Sequence, residues 1–256
     1  MRLLGDVLSP PRCAACDLAA PRHHVFCASC ATSVETCGGP GTAAHLDTGA
    51  LEGDRASVDV AFGYYGGALA TAIRRLKYED RPYLARPLGE LLRRACRAAA
   101  IGADAVLPVP LHPRRLVERG YNQAALLAAH VARELRAPLV TSAVVRRMDT
   151  APQVELSGDD RRTNVAAAFA VTAPVSVERR VVVLVDDVST TGATLGACRA
   201  ALLGSGAERV IGVVVARTSP GIPLGLDSNP VLDIGVHRTR ASSRCANMPM
   251  RANLRN

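Results

Sequence analysis

Residues 181–194 read VVVLVDDVSTTGAT. The first five are apolar, mostly β-branched and do not alternate. That is the pattern of a strand covered on both faces in a parallel sheet. Asp186 and Asp187 follow at once. Then come Ser189, Thr190, Thr191, Gly192, Ala193 and Thr194, and a helical stretch over 195–203. Strand, acidic pair, hydroxyl-and-glycine loop, helix is an order that puts a ligand beyond the carboxyl end of the strand. A helix N-terminus, with unpaired N–H groups and a positive dipole end, suits a phosphate. Gly192 lets backbone approach closely, and the threonine hydroxyls add donors. Carboxylates repel a phosphate but accept hydrogen bonds from sugar hydroxyls. A ribose 5-phosphate unit, with a diol at one end and a phosphate at the other, satisfies both halves. The plainer alternative is a buried strand followed by a solvated turn.

The chain around this stretch alternates strands and helices from 58 to 219. Residues 58–64 alternate as a half-buried strand, and 68–76 and 83–99 carry helical apolar stripes. A strand over 105–110 ends at Pro108 and Pro110, since proline stops pairing. Residues 111–120 read as a loop with three arginines and a histidine, 121–135 as a helix, and 139–145 as a strand. A polar loop covers 148–164. Residues 169–171, 181–185 and 210–216 complete the strands. Such alternation indicates an α/β fold with a doubly wound, mainly parallel sheet. Residues 220–256 hold five Arg against two Asp with weak periodicity and read as a disordered tail.

Residues 1–45 hold five of the eight cysteines. Cys13 and Cys16 form one CxxC pair; Cys27 and Cys30 form another. Two such knuckles complete a tetrahedral Zn²⁺ site and supply folding energy to a segment short of apolar surface. A disulfide framework is the competing reading. It conflicts with the absence of a secretory signal over 1–12 and of any apolar run of membrane-spanning length, features that predict a cytoplasmic protein without membrane insertion. Cys37 reads as a free thiol or the remnant of a further knuckle. The domains expected are a Cys-rich module over 1–45, a linker over 46–57, the α/β domain over 58–219 and the tail. A net charge of +8 favours anionic ligands. Of 31 basic residues only Lys77 is lysine, through either GC-rich coding or a specific need for lysine there. Arg114, Arg115 and Arg119 follow a strand end and suit a pyrophosphate, or make a solvated basic face. Arg161 and Arg162 lie in a polar stretch, 153–164, that reads as a lid or as a surface insertion.

Residues 181–194 resemble the phosphoribosyl pyrophosphate (PRPP) motif of type I phosphoribosyltransferases. With the cysteine pairs, Leu76-Lys77-Tyr78, Pro108-Val109-Pro110, Arg119-Gly120-Tyr121-Asn122-Gln123, and Gln153, Leu156, Arg161, Asn164 and Phe169, the whole set resembles the ComF family from about residue 13 to 218. The resemblance implies a phosphoribosyltransferase-like parallel sheet flanked by helices and preceded by a small zinc-ribbon-like module. It implies PRPP binding through Asp186, Asp187, Ser189, Thr190, Thr191, Gly192, Ala193 and Thr194, and pyrophosphate contacts from His112, Arg114, Arg115 and Arg119. Asp186, Asp187, Lys77 and Arg161 form the expected catalytic set, with Mg²⁺ accompanying PRPP and Zn²⁺ held by Cys13, Cys16, Cys27 and Cys30. The reaction implied is phosphoribosyl transfer to an unidentified acceptor, linked to DNA uptake. The alternative is a non-catalytic accessory protein of transformation that binds PRPP, a nucleotide or single-stranded DNA and meets proteins of the competence machinery.

Overall fold

The apolar run at 181–185 belongs to an interior strand of a five-stranded sheet, paired on both sides. In the computed structural model, which describes residues 11–38, 44–47, 58–147 and 168–218, the strands are β1 (Ala44–Asp47), β2 (Val58–Tyr64), β3 (Ala105–Pro108), β4 (Val144–Arg146), β5 (Phe169–Val171), β6 (Val181–Ser189) and β7 (Arg209–Arg217). The sheet order is β1-β2-β7-β6-β3. Only β1 runs antiparallel, against β2; β2, β7, β6 and β3 are mutually parallel. The helices are α1 (Ala28–Ala31), α2 (Gly67–Tyr78), α3 (Ala85–Ala98), α4 (Pro113–Arg119), α5 (Gln123–Leu135) and α6 (Ala193–Gly204).

Because side chains alternate along a strand, β6 feeds two cores. Val183 and Val185 pack with Val213 of β7 and with Leu76 of α2, Leu92 of α3 and Leu127 of α5. Val182 and Leu184 pack on the other face with Leu195, Cys198 and Leu202 of α6 and with Val144 and Phe169 of the β4–β5 ribbon. On the first face, α3 and α5 are tied at their edge by Glu134, which accepts from Arg93 Nε at 2.8 Å and Arg97 Nε at 2.9 Å. Hydrogen bonds from Arg97 and then Arg93 hold the Glu134 carboxyl down at about 2, against the upward push of burial. On the second face, Asp59 of β2 and Arg199 of α6 form a buried ion pair, and Asp59 Oδ1 also accepts from Gly212 N–H at 2.9 Å. The pair joins two strands and a helix at one point under the sheet.

Three elements depart from the expectations. Residues 113–119 are helical, where a loop was expected. Pro113 occupies the first turn, His112 Nδ1 accepts from Arg114 N–H at 3.3 Å, and Gly120 closes the helix with φ +77°. These are ordinary start and stop signals, but none of the helix's residues is buried, so no apolar stripe advertises it. The strand expected over 139–145 is reduced to a single parallel bridge, Leu139 to Val106. Pro138 has no N–H to extend the ladder, and the chain bends before β4 pairs with β5 in a separate antiparallel ribbon. Finally, β1 lies where the Cys-rich module was expected to give way to a linker. Cys37 is fully buried, its N–H donating to Phe62 O at 3.1 Å, and burial pushes its thiol pKa up. The expected lid (153–164) and tail (220–256) lie outside the described residues, as does most of the expected linker. No helix among the described residues is long and apolar enough to cross a membrane.

Removing one partner of a buried ion pair strands the other charge. Arg199→Ala should therefore lower unfolding free energy by about 3–5 kcal/mol in urea titrations at neutral pH. A loss below about 1 kcal/mol, the range of exposed pairs, would show that the Asp59–Arg199 contact does not hold α6 to the sheet.

Candidate functional site

The period of two along β6 decides what its two aspartates do. Asp187 continues the Val183–Val185 face and points toward α2. Asp186 continues the Val182–Leu184 face and points toward the start of α6. Both are buried. Asp186 Oδ1 accepts from Asp187 N–H at 2.8 Å, and Asp187 Oδ1 accepts from Val188 N–H at 2.8 Å. Asp187 Oδ2 lies 2.9 Å from Lys77 Nζ, an ion-pair approach outside hydrogen-bond angles, and has no other donor. Burial, ahead of the neighbouring Asp187 charge, drives the Asp186 pKa well above the usual carboxylate range, and Lys77 counters it. Burial works against the Lys77 charge, but Asp187 and then Asp186 outweigh it and the Lys77 pKa is raised. The two carboxylates and one ammonium are thus a single electrostatic unit across the carboxyl end of the sheet.

Beyond Asp186 the chain turns through Ser189, Thr190 and Thr191 into Gly192, whose φ of +76° is left-handed. Gly192 carries no capping side chain, so the start of α6 presents backbone N–H groups and the positive dipole end. Thr191 Oγ1 accepts from Ala193 N–H at 3.4 Å, and Thr218 Oγ1, from the segment after β7, donates to Thr190 O at 3.0 Å. The resulting hollow is lined by Asp186, Ser189, Thr190, Gly192, Ala193 and Thr194. Of the eight residues expected to hold a ribose phosphate, these six line the hollow, Thr191 is not part of its lining, and Asp187 sits on the opposite face of the sheet with Lys77.

Lys77 also lines a second, wider cleft of about 730 Å³ between the end of α2 and α4, together with Tyr78, Arg115, Arg119 and Tyr121. Here the four expected pyrophosphate ligands separate. Arg115 and Arg119 face the cleft. Arg119 lies over the Tyr78 ring, 5.2 Å from its centroid, and also donates to Gln123 Oε1. Arg114 pairs with Glu118 at 3.0 Å on an exposed side of α4. His112 spends Nδ1 on the helix cap. Arg161 lies outside the described residues. The 119–123 segment proves to be a scaffold as well: the Tyr121 hydroxyl donates to Leu76 O, and Asn122 donates to Val109 O at 3.0 Å while accepting from Ala124 N–H at 2.9 Å.

The four N-terminal cysteines converge. All four Sγ atoms lie within 4.8 Å of one another, and Cys16 and Cys27 Sγ are 3.7 Å apart. A tetrahedral ion with bonds of about 2.3 Å to sulfur places sulfurs about 3.8 Å apart, so the set fits Zn²⁺. The thiols titrate unequally: hydrogen bonds, first from Ser29, bring Cys27 down to about 6, whereas burial pushes Cys30 up. If all four were thiolates, their mutual repulsion would call for a cation among them. Sequence spacing found this set and the aspartates. It did not find Arg75, Asp17 or the Asp59–Arg199 pair, because nothing local marks a charged residue as buried.

Lys77→Met leaves two buried carboxylates without a cation. It should lower stability by about 3 kcal/mol at pH 8, read from urea midpoints. Asp186 already holds its proton to higher pH in the folded state than in the unfolded chain. Its stabilising contribution is therefore complete at low pH and lost as pH rises. Removing Lys77 moves that loss to still higher proton affinity, and so the deficit should shrink between pH 8 and pH 5. A deficit constant with pH would mean that Lys77 packs there but does not neutralise the pair.

Residues 122–224 match the model of the phosphoribosyl transferase domain. The chain is 37% identical over 157 residues to competence protein F of Haemophilus influenzae, covering 59% of this chain and 69% of that protein. It is 33% identical over 202 residues to the DNA utilization protein YhgH of Escherichia coli, covering 73% of this chain and 88% of that protein. Among solved structures it overlaps an allosteric regulatory enzyme of purine biosynthesis with TM-score 0.36 and 19% identity, covering 63% of this chain and 28% of that one, an overlap too small to bear on the site. With the parallel sheet, the helix-flanked aspartate pair and the cysteine cluster in front, the chain belongs to the ComF family of phosphoribosyltransferase-domain proteins.

Proposed function

We propose that the protein binds PRPP with Mg²⁺ and transfers its phosphoribosyl group to an acceptor, with Zn²⁺ at the cysteine cluster as a structural ion. The single observation that carries this reading is the end of β6: a carboxylate on the side facing the start of α6, a hydroxyl-lined hollow at that helix's N-terminus, and a lysine neutralising the neighbouring carboxylate. The 5-phosphate suits the N–H groups and hydroxyls of 189–194. The ribose hydroxyls suit Asp186 and, as sugar binding rearranges the pair, Asp187. Lys77, Arg115 and Arg119 supply positive charge where the pyrophosphate leaves. Mg²⁺, when bound with the pyrophosphate, neutralises charge on the leaving group. In the transfer, the bond from the anomeric carbon to the pyrophosphate oxygen breaks. A bond to the acceptor's nucleophile forms, pyrophosphate departs with the electron pair, and the acceptor gives up a proton.

A second reading, an accessory protein that binds PRPP or single-stranded DNA without turnover, is favoured by one feature. Tyr78 and Tyr83 are 71% and 60% exposed, with Arg119 stacked on Tyr78, and exposed aromatics beside arginines suit base stacking. The descriptions of the relatives, competence and DNA utilization, support a role in handling incoming DNA under either reading, among proteins of the competence machinery. A cytoplasmic location goes with both.

Calorimetry with PRPP, with and without Mg²⁺, tests the site. Asp186→Asn/Asp187→Asn should weaken binding at least tenfold, one or more charged hydrogen bonds; equal affinity in both proteins would refute the assignment. Pyrophosphate release in the presence of candidate acceptors then separates transferase from binder. Metal analysis of the purified chain should return about one Zn²⁺, and a folded, metal-free N-terminus would remove the zinc module from the proposal.

A further inference from the structure

We infer that the cysteine module is the external clamp of α2, and that Arg75 and Asp17 are positioning residues through which it holds Lys77 against Asp187. The inference rests on the reading of the cysteine cluster as a zinc site and of Lys77 as a ligand-facing group.

Helix α2 has weak ends of its own. Its N-cap is Gly66, which offers no capping side chain. The module supplies the cap instead: Ser33 Oγ accepts from Ala68 N–H at 3.0 Å, and Ser33 is held in turn by donating to the carbonyl of Cys30, a metal-ligand position, at 2.8 Å. At the other end, Arg75 is 5% exposed, an unusual depth for a guanidinium. Nη1 donates to Ala14 O at 2.9 Å, Nη2 pairs with Asp17 Oδ2, and Nε lies 3.3 Å from Glu79 Oε2. Arg81 joins the same Asp17 oxygen at 2.7 Å. Ala14 lies inside the first CxxC, between Cys13 and Cys16, and Asp17 directly follows Cys16 in a left-handed conformation, φ 61°. The acceptors of Arg75 therefore have their positions set by the loop that wraps the metal.

Residues 75 and 77 are about 200° apart around a helix, and so they leave α2 on opposite sides. Arg75 reaches out to the module while Lys77 reaches across to Asp187, with Leu76 fully buried between them. The Leu76 carbonyl is fixed by the Tyr121 hydroxyl. The last turn of α2 is thus pulled from two sides, and Lys77 can stay 2.9 Å from Asp187 only while the Arg75 side is anchored. Loss of the metal would free Ala14 and Asp17, release the last turn, and loosen Lys77 without altering a residue of the ligand site.

The chain contains one lysine, which makes the test direct. Acylation of Lys77 by a water-soluble amine reagent requires the neutral amine, and pairing with Asp187 keeps the amine protonated. Relative to full-length, zinc-loaded wild type, the labelling rate of Lys77, read by peptide mass spectrometry, should rise about tenfold, one pKa unit, in three cases: wild type treated with a chelator, Asp17→Asn, and Arg75→Met. Asparagine tolerates the left-handed conformation at 17, so Asp17→Asn removes charge with little strain. Amide hydrogen exchange of β6 and β7 in the same samples reports the global fold and should stay unchanged. Lys77 labelling at the wild-type rate in folded Asp17→Asn and Arg75→Met would overturn the inference. So would a rise that only accompanies faster exchange in β6 and β7, because that is unfolding and not release of one turn. Labelling does not depend on PRPP. If wild type fails to bind PRPP yet Lys77 is released on zinc removal, the proposed function falls and the clamp stands; if PRPP binds but labelling is unmoved, the reverse holds.

Discussion

Two adjacent buried carboxylates at the end of a buried apolar run are the constraint to which the rest of the molecule answers. Neither can be neutralised by its neighbour, and alternation sends them to opposite faces of the sheet. Each face must therefore solve its own problem. On the α2 face the solution is a cation, Lys77, on a helix long enough to reach the strand end. On the α6 face no cation meets Asp186 at contact distance among the described residues. Its carboxyl takes the neighbouring backbone N–H and otherwise holds its proton to unusually high pH. That is a carboxyl poised to accept from a ligand's hydroxyl groups, beside a helix terminus poised to accept a phosphate.

The α2 face then explains the cysteine module. A lysine held in a buried ion pair loses rotamer freedom and hydration, and it keeps its place only if its helix is rigid. The domain has few large side chains for that: no Trp and three Phe in 256 residues. The module contributes order of a different origin. Besides adding Val25 and Phe26 to the core, a loop fixed by an ion at its cysteines would present Ala14 O, Asp17 and Ser33 as a ready-made frame. With an ion held by the four cysteines, as proposed, its binding free energy would become folding free energy of the segment, and the contacts to Arg75 and Ala68 would pass part of that order to α2.

How much of this was legible beforehand follows from the range over which each signal acts. The β6 run, the aspartates, the phosphate-type loop and the CxxC pairs are local patterns, and residues 181–194 and the four cysteines could be read directly. Helix α4 was missed because exposed helices carry no apolar stripe, although Pro113 and Gly120 mark its ends. A strand over 139–145 looks plausible because Leu139 and Val140 are β-prone, but Pro138 limits them to a single bridge. Asp59 with Arg199 and Asp17 with Arg75 were invisible: the partners are 140 and 58 positions apart, and a buried charge looks like any surface charge in sequence. The four arginine-loop residues were read as a set, but the helix turns Arg114 toward Glu118 and leaves Arg115 and Arg119 on the cleft.

The identity of the one lysine fits this geometry. In a chain that uses arginine at every other basic position, coding bias alone would favour arginine at 77 too. A guanidinium there would be longer, planar and committed to a fork of donors. It would span both oxygens of Asp187, although Oδ1 is already taken by the Val188 N–H. An ammonium is a compact charge with three donors that can serve Asp187 Oδ2 and still turn an N–H toward the cleft that Lys77 also lines. Lys77 therefore joins the strand-end carboxylate of Asp187 to the arginine-lined cleft. The chain retains lysine where one charge has to face two ways.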